Sequence, residues 1–338
     1  MRGPFRMQAV DRGEVVRWPT GFGRRFMVFV DVEEEFDWAA PFTRTGHATT
    51  AIRAFPVAHR RFADAGIPLT CMVDAPMAAD TDAIAVLQDV AGDGRSAIGA
   101  QLHAWVTPPF EEVVNTRNSY AGNLTPALEA AKIDWMTQAL TEAFGQPPIA
   151  FRSGRYGLGP STLTMLAARG YRLDSSVRAY HDYRDSDGPD FGAIGPAAFV
   201  RNGMLEVPLT TGFIGAAGSC GPWLYPKLAK LPLGRAAMAR SGMLSRVALT
   251  PEGMPTTAAI AAVDALLAGG ERLLAFSFHS PSLAAGHTPY VRNTRDLAAF
   301  WRWWDVMLAH LAGRGVTPAS LDDMLSSLDQ RPTGADRV

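Results

Sequence analysis

The chain has 338 residues, of which 47% are hydrophobic and 19% are charged, and its formal net charge is −1. This balance is typical of a globular protein and lacks the basic excess that binds nucleic acid or anionic membranes, so we expect neither partner. The length fits one large α/β domain or two smaller domains.

The first 25 residues carry charges throughout and contain no apolar run of the kind found in signal peptides. Apolar runs elsewhere are too short to span a bilayer. We therefore expect a cytoplasmic protein without a membrane span. Cys71 and Cys220 are too few and too far apart to form a disulfide framework or a zinc cluster, which predicts two free thiols.

The stretch 26–38 reads FMVFVDVEEEFDW and predicts a buried strand that ends in acidic residues. Because side chains alternate along a strand, Asp31 and Glu33 should point to the same side. Two carboxylates in one space need a proton or a cation between them, which indicates a site. This segment alone leaves open a simpler alternative, a strand that runs into a solvated acidic loop.

After this strand, helix and strand patterns alternate to the end of the chain. Further strands are predicted at 67–73, 96–103, 149–152, 171–177, 204–210, 272–278 and 315–317. Helices are predicted at 51–65, 80–90, 126–144, 160–169, 256–267, 294–311 and 320–328. The polar segment 107–124 predicts a long functional loop, and the Gly/Pro-rich segment 212–253 predicts irregular structure.

Alternating strands and helices imply parallel pairing, so the sequence predicts an α/β protein with a (β/α) barrel whose site lies at the C-terminal ends of the strands. We assign the barrel to residues 26–328, an N-terminal extension to residues 1–25 and a disordered tail to residues 329–338.

Unusual polar residues occur at four predicted strand ends. They are Asp31 and Glu33 on the first strand, Gln101, His103 and Trp105 on the third, Arg152 on the fourth, and His279 within LLAFSFHSPSL. A single histidine is more often structural than functional. Because these strand ends should converge on one face of the barrel, we predict a common site.

Five of these segments resemble the successive motifs of the polysaccharide deacetylase family, the NodB-homology carbohydrate esterases. They are FVDVEEEFDW, IGAQLHAWVTPPF, FRSGRYGLGPSTLTMLAARGYRLDSSV, LEVPLT and LAFSFHSPSL, in this order. The resemblance implies a distorted, TIM-like (β/α) barrel of seven or eight strands. It also implies a metal-dependent hydrolase that removes an N-acetyl or O-acetyl group from a sugar or polysaccharide precursor.

The resemblance assigns roles to individual residues. Asp31 matches the general base, Arg152 the arginine that orients this base, and His279 the general acid. Glu33 matches a metal-binding carboxylate, and we expect it to hold a divalent cation, with zinc as the expected metal, together with His103 and Gln101. The expected substrate-binding residues are Trp105, Tyr156, Asn118 and Tyr290.

The second motif departs from the family pattern, which has two histidines where this chain has Gln101 and Trp105. A glutamine carbonyl is a weak zinc ligand, and tryptophan cannot bind zinc. Gln101 and His103 share a strand face, so they could form an alternative site with Glu33, and we expect its metal affinity to be lower.

Three functions are compatible with the sequence. The first is a deacetylase-type hydrolase, and the second is a cyclic amide or imide hydrolase on the same barrel. The third is a non-catalytic carbohydrate-binding protein that has lost its metal. Gln101 and Trp105 favour the third possibility, whereas Asp31, Arg152 and His279 argue against it.

Overall fold

The structure, a computed structural model, describes residues 3–329 and consists of alternating strands and helices. The strands are β1 (Arg24–Val32), β2 (Leu69–Val73), β3 (Ala97–Leu102), β4 (Ala150–Ser153), β5 (Leu173–Asp174), β6 (Phe199–Arg201), β7 (Met204–Glu206), β8 (Thr211–Ile214), β9 (Ser245–Ala248), β10 (Leu273–His279) and β11 (Val316–Pro318). The helices are α1 (Phe55–Asp64), α2 (Ala75–Ala79), α3 (Thr81–Ala91), α4 (Pro126–Phe144), α5 (Thr162–Ala167), α6 (Gly221–Leu228), α7 (Gly234–Arg240), α8 (Thr256–Ala268), α9 (Thr294–Gly313) and α10 (Leu321–Asp329).

The main sheet has the order β10-β1-β2-β3-β4-β5-β7-β6, with β11 paired to the start of β1. Its pairs are parallel except for the β6–β7 hairpin. The helices between the strands make the crossover connections that parallel pairing requires. The predicted α/β class and the distorted barrel of seven or eight strands are confirmed.

The barrel is distorted because, within residues 3–329, no strand of the main sheet joins β7 to β10. Two residues outside the regular strands, Thr210 and Leu249, bridge this gap instead. The backbone N–H of Thr210 donates to Ala275 at 3.1 Å, and its carbonyl accepts from Leu249 at 3.0 Å. The N–H of Ser277 in turn donates to the carbonyl of Leu249 at 3.3 Å.

Alternation along β1 separates the two halves of the core. Val28, Val30 and Val32 pack in the cluster that contains the surrounding helices, whereas Met27 and Phe29 pack in the second cluster, inside the barrel. The period of two therefore places Asp31 and Glu33 on the inner face, above Phe29.

The N-terminal end of the barrel is filled by apolar residues from both ends of the described chain. Val16 and Phe22 precede β1, and Leu321, Met324 and Leu325 lie on α10; all five join the inner cluster. This packing leaves the C-terminal ends of the strands as the open end of the barrel.

Capping residues set the helix boundaries largely as predicted. Thr125 accepts a hydrogen bond from the N–H of Leu128 at the start of α4, and Gly145 ends this helix at a φ of 77°. Asp80 caps α3 through the N–H groups of Asp82 and Ala83.

The prediction of irregular structure at 212–253 is wrong, because this segment forms the β8–β9 hairpin and the helices α6 and α7. Its frequent glycine and proline residues masked these short elements. Phe213, Leu228 and Leu244 form a small separate core there. The fifth strand is also shorter than predicted, since only Leu173–Asp174 pairs in the sheet.

The predicted 329–338 tail lies outside the described residues except for Asp329, the last residue of α10, and residues 1 and 2 also lie outside them. Across residues 3–329, none of the helices has the length and apolar character needed to cross a bilayer. Cys71 is buried and Cys220 is exposed, and both are free thiols as predicted.

Candidate active site

A cavity of about 330 Å³ opens at the C-terminal ends of the strands. Nine of the ten predicted site residues line it: Asp31, Glu33, Gln101, His103, Trp105, Arg152, Tyr156, His279 and Tyr290. Asn118 is the exception. Its amide donates to the carbonyl of Val113 at 2.9 Å and so braces the 107–124 loop, away from the cavity lining.

Strand register brings the polar side chains together. Asp31 is the direct partner of His279 across the β1–β10 pair, and Gln101 is the direct partner of Arg152 across the β3–β4 pair. Parallel strands end at the same edge of a barrel, so a polar residue at each end reaches the same cavity.

Asp31 is held by Arg152, a side chain that is only 1% exposed. One Nη of Arg152 donates to Asp31 Oδ1. The remaining donors are fixed by Ser175, because Nε donates to its carbonyl at 3.0 Å and Nη2 to its hydroxyl at 3.1 Å. A guanidinium fixed in this way favours the ionised form of the neighbouring carboxylate.

His279 lies between two carboxylates. Its Nε2 is 3.7 Å from Asp31 Oδ2, and its Nδ1 is 2.7 Å from Glu252 Oε2. Glu252 also accepts from the backbone N–H of His279 at 3.1 Å. Burial alone would lower the pKa of His279, but Glu252, Glu33 and Asp31 outweigh it and raise the pKa well above its usual value. The imidazole is therefore protonated at neutral pH.

Glu33, Gln101 and His103 meet through the side-chain amide of Gln101. Its Nε2 lies 3.0 Å from Glu33 Oε2 and 3.0 Å from His103 Nε2, so the amide donates to both. Glu33 Oε1 and Gln101 Oε1 are buried without a hydrogen-bond partner among residues 3–329. Burial raises the pKa of Glu33 to about 7.

The other nitrogen of His103 faces a deeper acidic pair, Glu34 and Asp74. His103 Nδ1 is 2.8 Å from Glu34 Oε2 and 3.6 Å from Asp74 Oδ2. Burial raises the pKa of Glu34 to about 7, and burial together with the adjacent Glu34 raises that of Asp74 well above its usual value. Two carboxyl groups buried side by side favour a shared proton or a cation between them.

A divalent cation could bind on either side of His103. The ligand atoms of Glu34, Asp74 and His103 lie within 4.8 Å of one another and could hold a metal ion. On the cavity side, rotation of the Gln101 amide by 180° would turn its orphaned oxygen towards Glu33 and His103 Nε2. The Nδ1–Glu34 contact fits this cavity-side arrangement, because ligating histidines commonly donate their second N–H to a carboxylate.

Trp105 occupies the position of the second expected histidine. Its indole ring stacks on the imidazole of His103, with ring centroids 4.4 Å apart and planes 18° apart, and the residue is 3% exposed. Trp105 therefore shields and orients His103. It does so at the position where a histidine would have supplied one more metal ligand.

Three residues of the site were missed by the sequence reasoning: Glu34, Asp74 and Glu252. Asp74 follows the buried strand β2 directly, so the rule that identified the other strand ends could have found it. Glu34 was part of the acidic run but was not distinguished from Glu33. Glu252 lies within the segment 212–253, which was predicted to be irregular, and no local pattern marks it.

No protein-family model and no curated protein matches the chain. Solved structures do match. Puue allantoinase aligns with 15% identity and a TM-score of 0.50 over 95% of this chain and 96% of the other chain. A probable polysaccharide deacetylase from Pseudomonas aeruginosa PAO1 aligns with 14% identity and a TM-score of 0.48, over 92% and 93% of the two chains.

The chain has a NodB-type distorted barrel fold. The alignment with Puue allantoinase thereby confirms the predicted fold. At 14–15% identity the similarity establishes the fold alone, and one fold can carry different chemistries. The function of this NodB-type barrel must therefore be argued from its own cavity.

Proposed function

We propose that the protein is a hydrolase that removes an acetyl group from an amide, or from an ester, of a sugar. The observation that supports this most directly is a series of side-chain contacts that runs from Arg152 through Asp31 and His279 to Glu252. It places a carboxylate that is paired with Arg152 and an imidazole with a raised pKa 3.7 Å apart at the open end of the barrel. Hydrolysis of an amide needs one group that accepts a proton and one that donates a proton.

Asp31 is the proposed general base. It takes the proton of the attacking water, and Arg152 pairs with it and orients it before the substrate binds. Arg152 cannot compete for the proton, because a guanidinium stays charged at all physiological pH values.

His279 is the proposed general acid. Its Nδ1 side is fixed by Glu252, so Nε2 faces the cavity with a proton available for the departing amine. The raised pKa matches this role, because the imidazole is already protonated when the substrate arrives.

Glu33, Gln101 and His103 are the proposed ligands of a divalent cation, with zinc as the expected metal. A cation there would polarise the acyl carbonyl and lower the pKa of the attacking water. The orphaned oxygens of Glu33 and Gln101 and the lone pair of His103 Nε2 provide suitable donor atoms.

The size of the cavity favours a small substrate. A volume of about 330 Å³ is near the lower end of the range for ligand pockets, roughly 300–1,000 Å³. This size also suits the second candidate, a cyclic amide hydrolase, and the structural likeness to an allantoinase is compatible with it.

The test is an activity panel with the full-length protein. We expect release of acetate from an acetylated sugar, loss of activity with a chelator, and recovery when zinc is added. The panel should include N-acetylglucosamine, its oligomers, an O-acetylated sugar and a cyclic imide. His310→Ala is a suitable control, because His310 pairs with Asp264 on the outer surface.

Turnover of only the cyclic imide would select the second candidate. Saturable sugar binding without turnover of any compound, with or without zinc, would reject the hydrolase proposal and favour a carbohydrate-binding protein.

A further inference from the structure

Two more arginines line the cavity, Arg155 and Arg178. Arg155 follows β4 by two residues. Arg178 follows β5 and forms an isolated parallel bridge with Leu209. Both therefore lie at strand ends, like the residues of the proposed reaction, but the proposed mechanism uses neither of them.

Neither guanidinium has a carboxylate partner. Within residues 3–329, neither group forms an ion pair with a carboxylate, and the titratable side chains that surround them most closely are tyrosines, which are neutral at physiological pH. Arg152 in the same cavity differs, because Asp31 neutralises it. Arg155 and Arg178 thus carry positive charge inside the concave site without a carboxylate paired to either of them.

Aromatic rings hold the two guanidinium groups by their faces. Arg155 lies 4.1 Å from the ring centroid of Tyr120 and 4.7 Å from that of Phe42. Arg178 lies 5.5 Å from the ring centroid of Tyr156. Arg155 Nη1 donates to the hydroxyl of Ser119 and, at 3.4 Å, to the carbonyl of Thr116. Stacking uses the face of a guanidinium and leaves the other N–H donors along its edge, the edge that binds carboxylates and phosphates bidentately.

Tyr183 adds an unused donor between them. It lines the cavity, and both guanidinium groups are within electrostatic range of its phenol. Its hydroxyl oxygen is buried without a hydrogen-bond partner among residues 3–329. A buried, unpartnered hydroxyl beside two unpaired cations is suited to an oxyanion ligand.

The backbone that carries Arg155 is strained. Arg155 and the next residue, Tyr156, have φ values of 53° and 60°, which L-residues rarely adopt. The turn is also fixed against His103, because a Cβ at Gly154 would lie 2.1 Å from His103 Cδ2. Strain of this kind concentrates at functional sites. The strained turn places Arg155 in the cavity that the reacting groups also line.

We propose that the substrate carries an oxyanion, a carboxylate or a phosphate, that Arg155, Arg178 and Tyr183 bind while its acyl group lies at Asp31 and His279. This inference rests on the proposed hydrolase function. The two reacting groups are already paired, Asp31 with Arg152 and His279 with Glu252, so they do not neutralise Arg155 or Arg178.

Calorimetric titration with sugars that carry no acyl group tests the binding step separately from catalysis. The probes are glucose, glucuronate and glucose 6-phosphate, added to the full-length protein. We expect at least one anionic sugar to bind more tightly than glucose by about tenfold to hundredfold, the range for charged hydrogen bonds. Glucuronate and glucose 6-phosphate distinguish the carboxylate from the phosphate.

Arg155→Met and Arg178→Met should each remove most of this preference for the anionic sugar over glucose. Both variants should fold, because neither leaves a carboxylate without its partner; thermal melting checks this. Arg240→Met is the matched control, since Arg240 is exposed on α7 and lies outside the cavity.

Equal binding of the three sugars, no binding of any of them, or a preference that survives both substitutions would overturn the inference. Its failure is distinguishable from failure of the proposed function. Hydrolysis of neutral acetylated sugars without an anion preference rejects only the anion site. An anion preference without hydrolysis of the acetylated counterparts rejects only the hydrolase.

Discussion

The side-chain amide nitrogen of Gln101 lies 3.0 Å from Glu33 Oε2, in the position where a shared cation would contact this carboxylate. The same nitrogen donates to His103 Nε2 at 3.0 Å. A neutral amide thus satisfies two groups that a metal would otherwise bind. A cation must displace these hydrogen bonds, so we expect the affinity of the wild-type protein for zinc to be low.

Gln101→His should raise zinc affinity, because it supplies a second imidazole beside His103 and Glu33. At a zinc concentration about 100 times the dissociation constant, binding should add roughly 2.7 kcal/mol to the free energy of unfolding. Metal content and a zinc-dependent shift in melting temperature measure this without any substrate.

Two further variants identify the side of His103 that binds the metal. Glu33→Gln should reduce zinc binding if the cation lies on the cavity side, and Asp74→Asn should do so if it lies with Glu34 and Asp74. If Gln101→His shows no zinc-dependent shift and His103→Ala does not alter metal content, neither metal site exists.

Arg152→Met should destabilise the protein by about 3–5 kcal/mol, because it leaves the Asp31 carboxylate buried without its partner. The double variant Asp31→Asn/Arg152→Met should cost less than the sum of the two single changes. Urea unfolding measures all three values. Arg169→Met is the control: its pair with Asp134 is exposed, so the expected cost is only about 0–1 kcal/mol. Additive costs for Asp31 and Arg152 would show that the pair is not coupled.

His279→Ala should lower kcat far more than it changes KM, by about 10²–10⁴-fold, the usual contribution of general acid catalysis. A general acid acts on the leaving group in the transition state, so ground-state binding is largely unaffected. Steady-state kinetics on the best substrate of the panel measure both constants. An effect confined to KM would assign His279 to substrate binding instead.

The parts of the site that follow strand periodicity could be predicted from the sequence. Asp31 and Glu33 share the inner face of β1 because side chains alternate, and His279 reaches Asp31 because β10 pairs with β1 in register. Helix ends at Thr125 and Gly145 were predictable for a similar reason, since capping depends on local sequence.

Contacts made by irregular segments were not predictable. Glu252 reaches His279 only because the segment after β9 bridges the gap in the barrel. Arg155 enters the cavity through two residues in the left-handed conformation, which neither Arg155 nor Tyr156 favours by itself. The amide of Gln101 could be identified as a departure from the family pattern, but not as the group that links Glu33 to His103.

The pairing of Glu252 with His279 leads to a prediction about pH. Glu252→Gln keeps a hydrogen-bond acceptor near Nδ1 but removes the charge that most strongly raises the pKa of His279. The pKa of His279 should therefore fall, by about one to three units, the range for loss of an adjacent opposite charge. Because the protonated imidazole is the proposed acid, the alkaline limb of the kcat profile should move to lower pH by a similar amount.

The same change should alter how stability depends on pH. In the wild-type protein, the raised pKa of His279 stabilises the folded state fully below about pH 6.5, the pKa of an unfolded histidine. This contribution is lost as pH rises through the folded-state value, and in Glu252→Gln it should be smaller. NMR titration of His279 measures the pKa directly, and Asp264→Asn, beside the surface residue His310, serves as the control. If Glu252→Gln left the pKa of His279 unchanged, then Glu252 would only position the imidazole and would not set its charge.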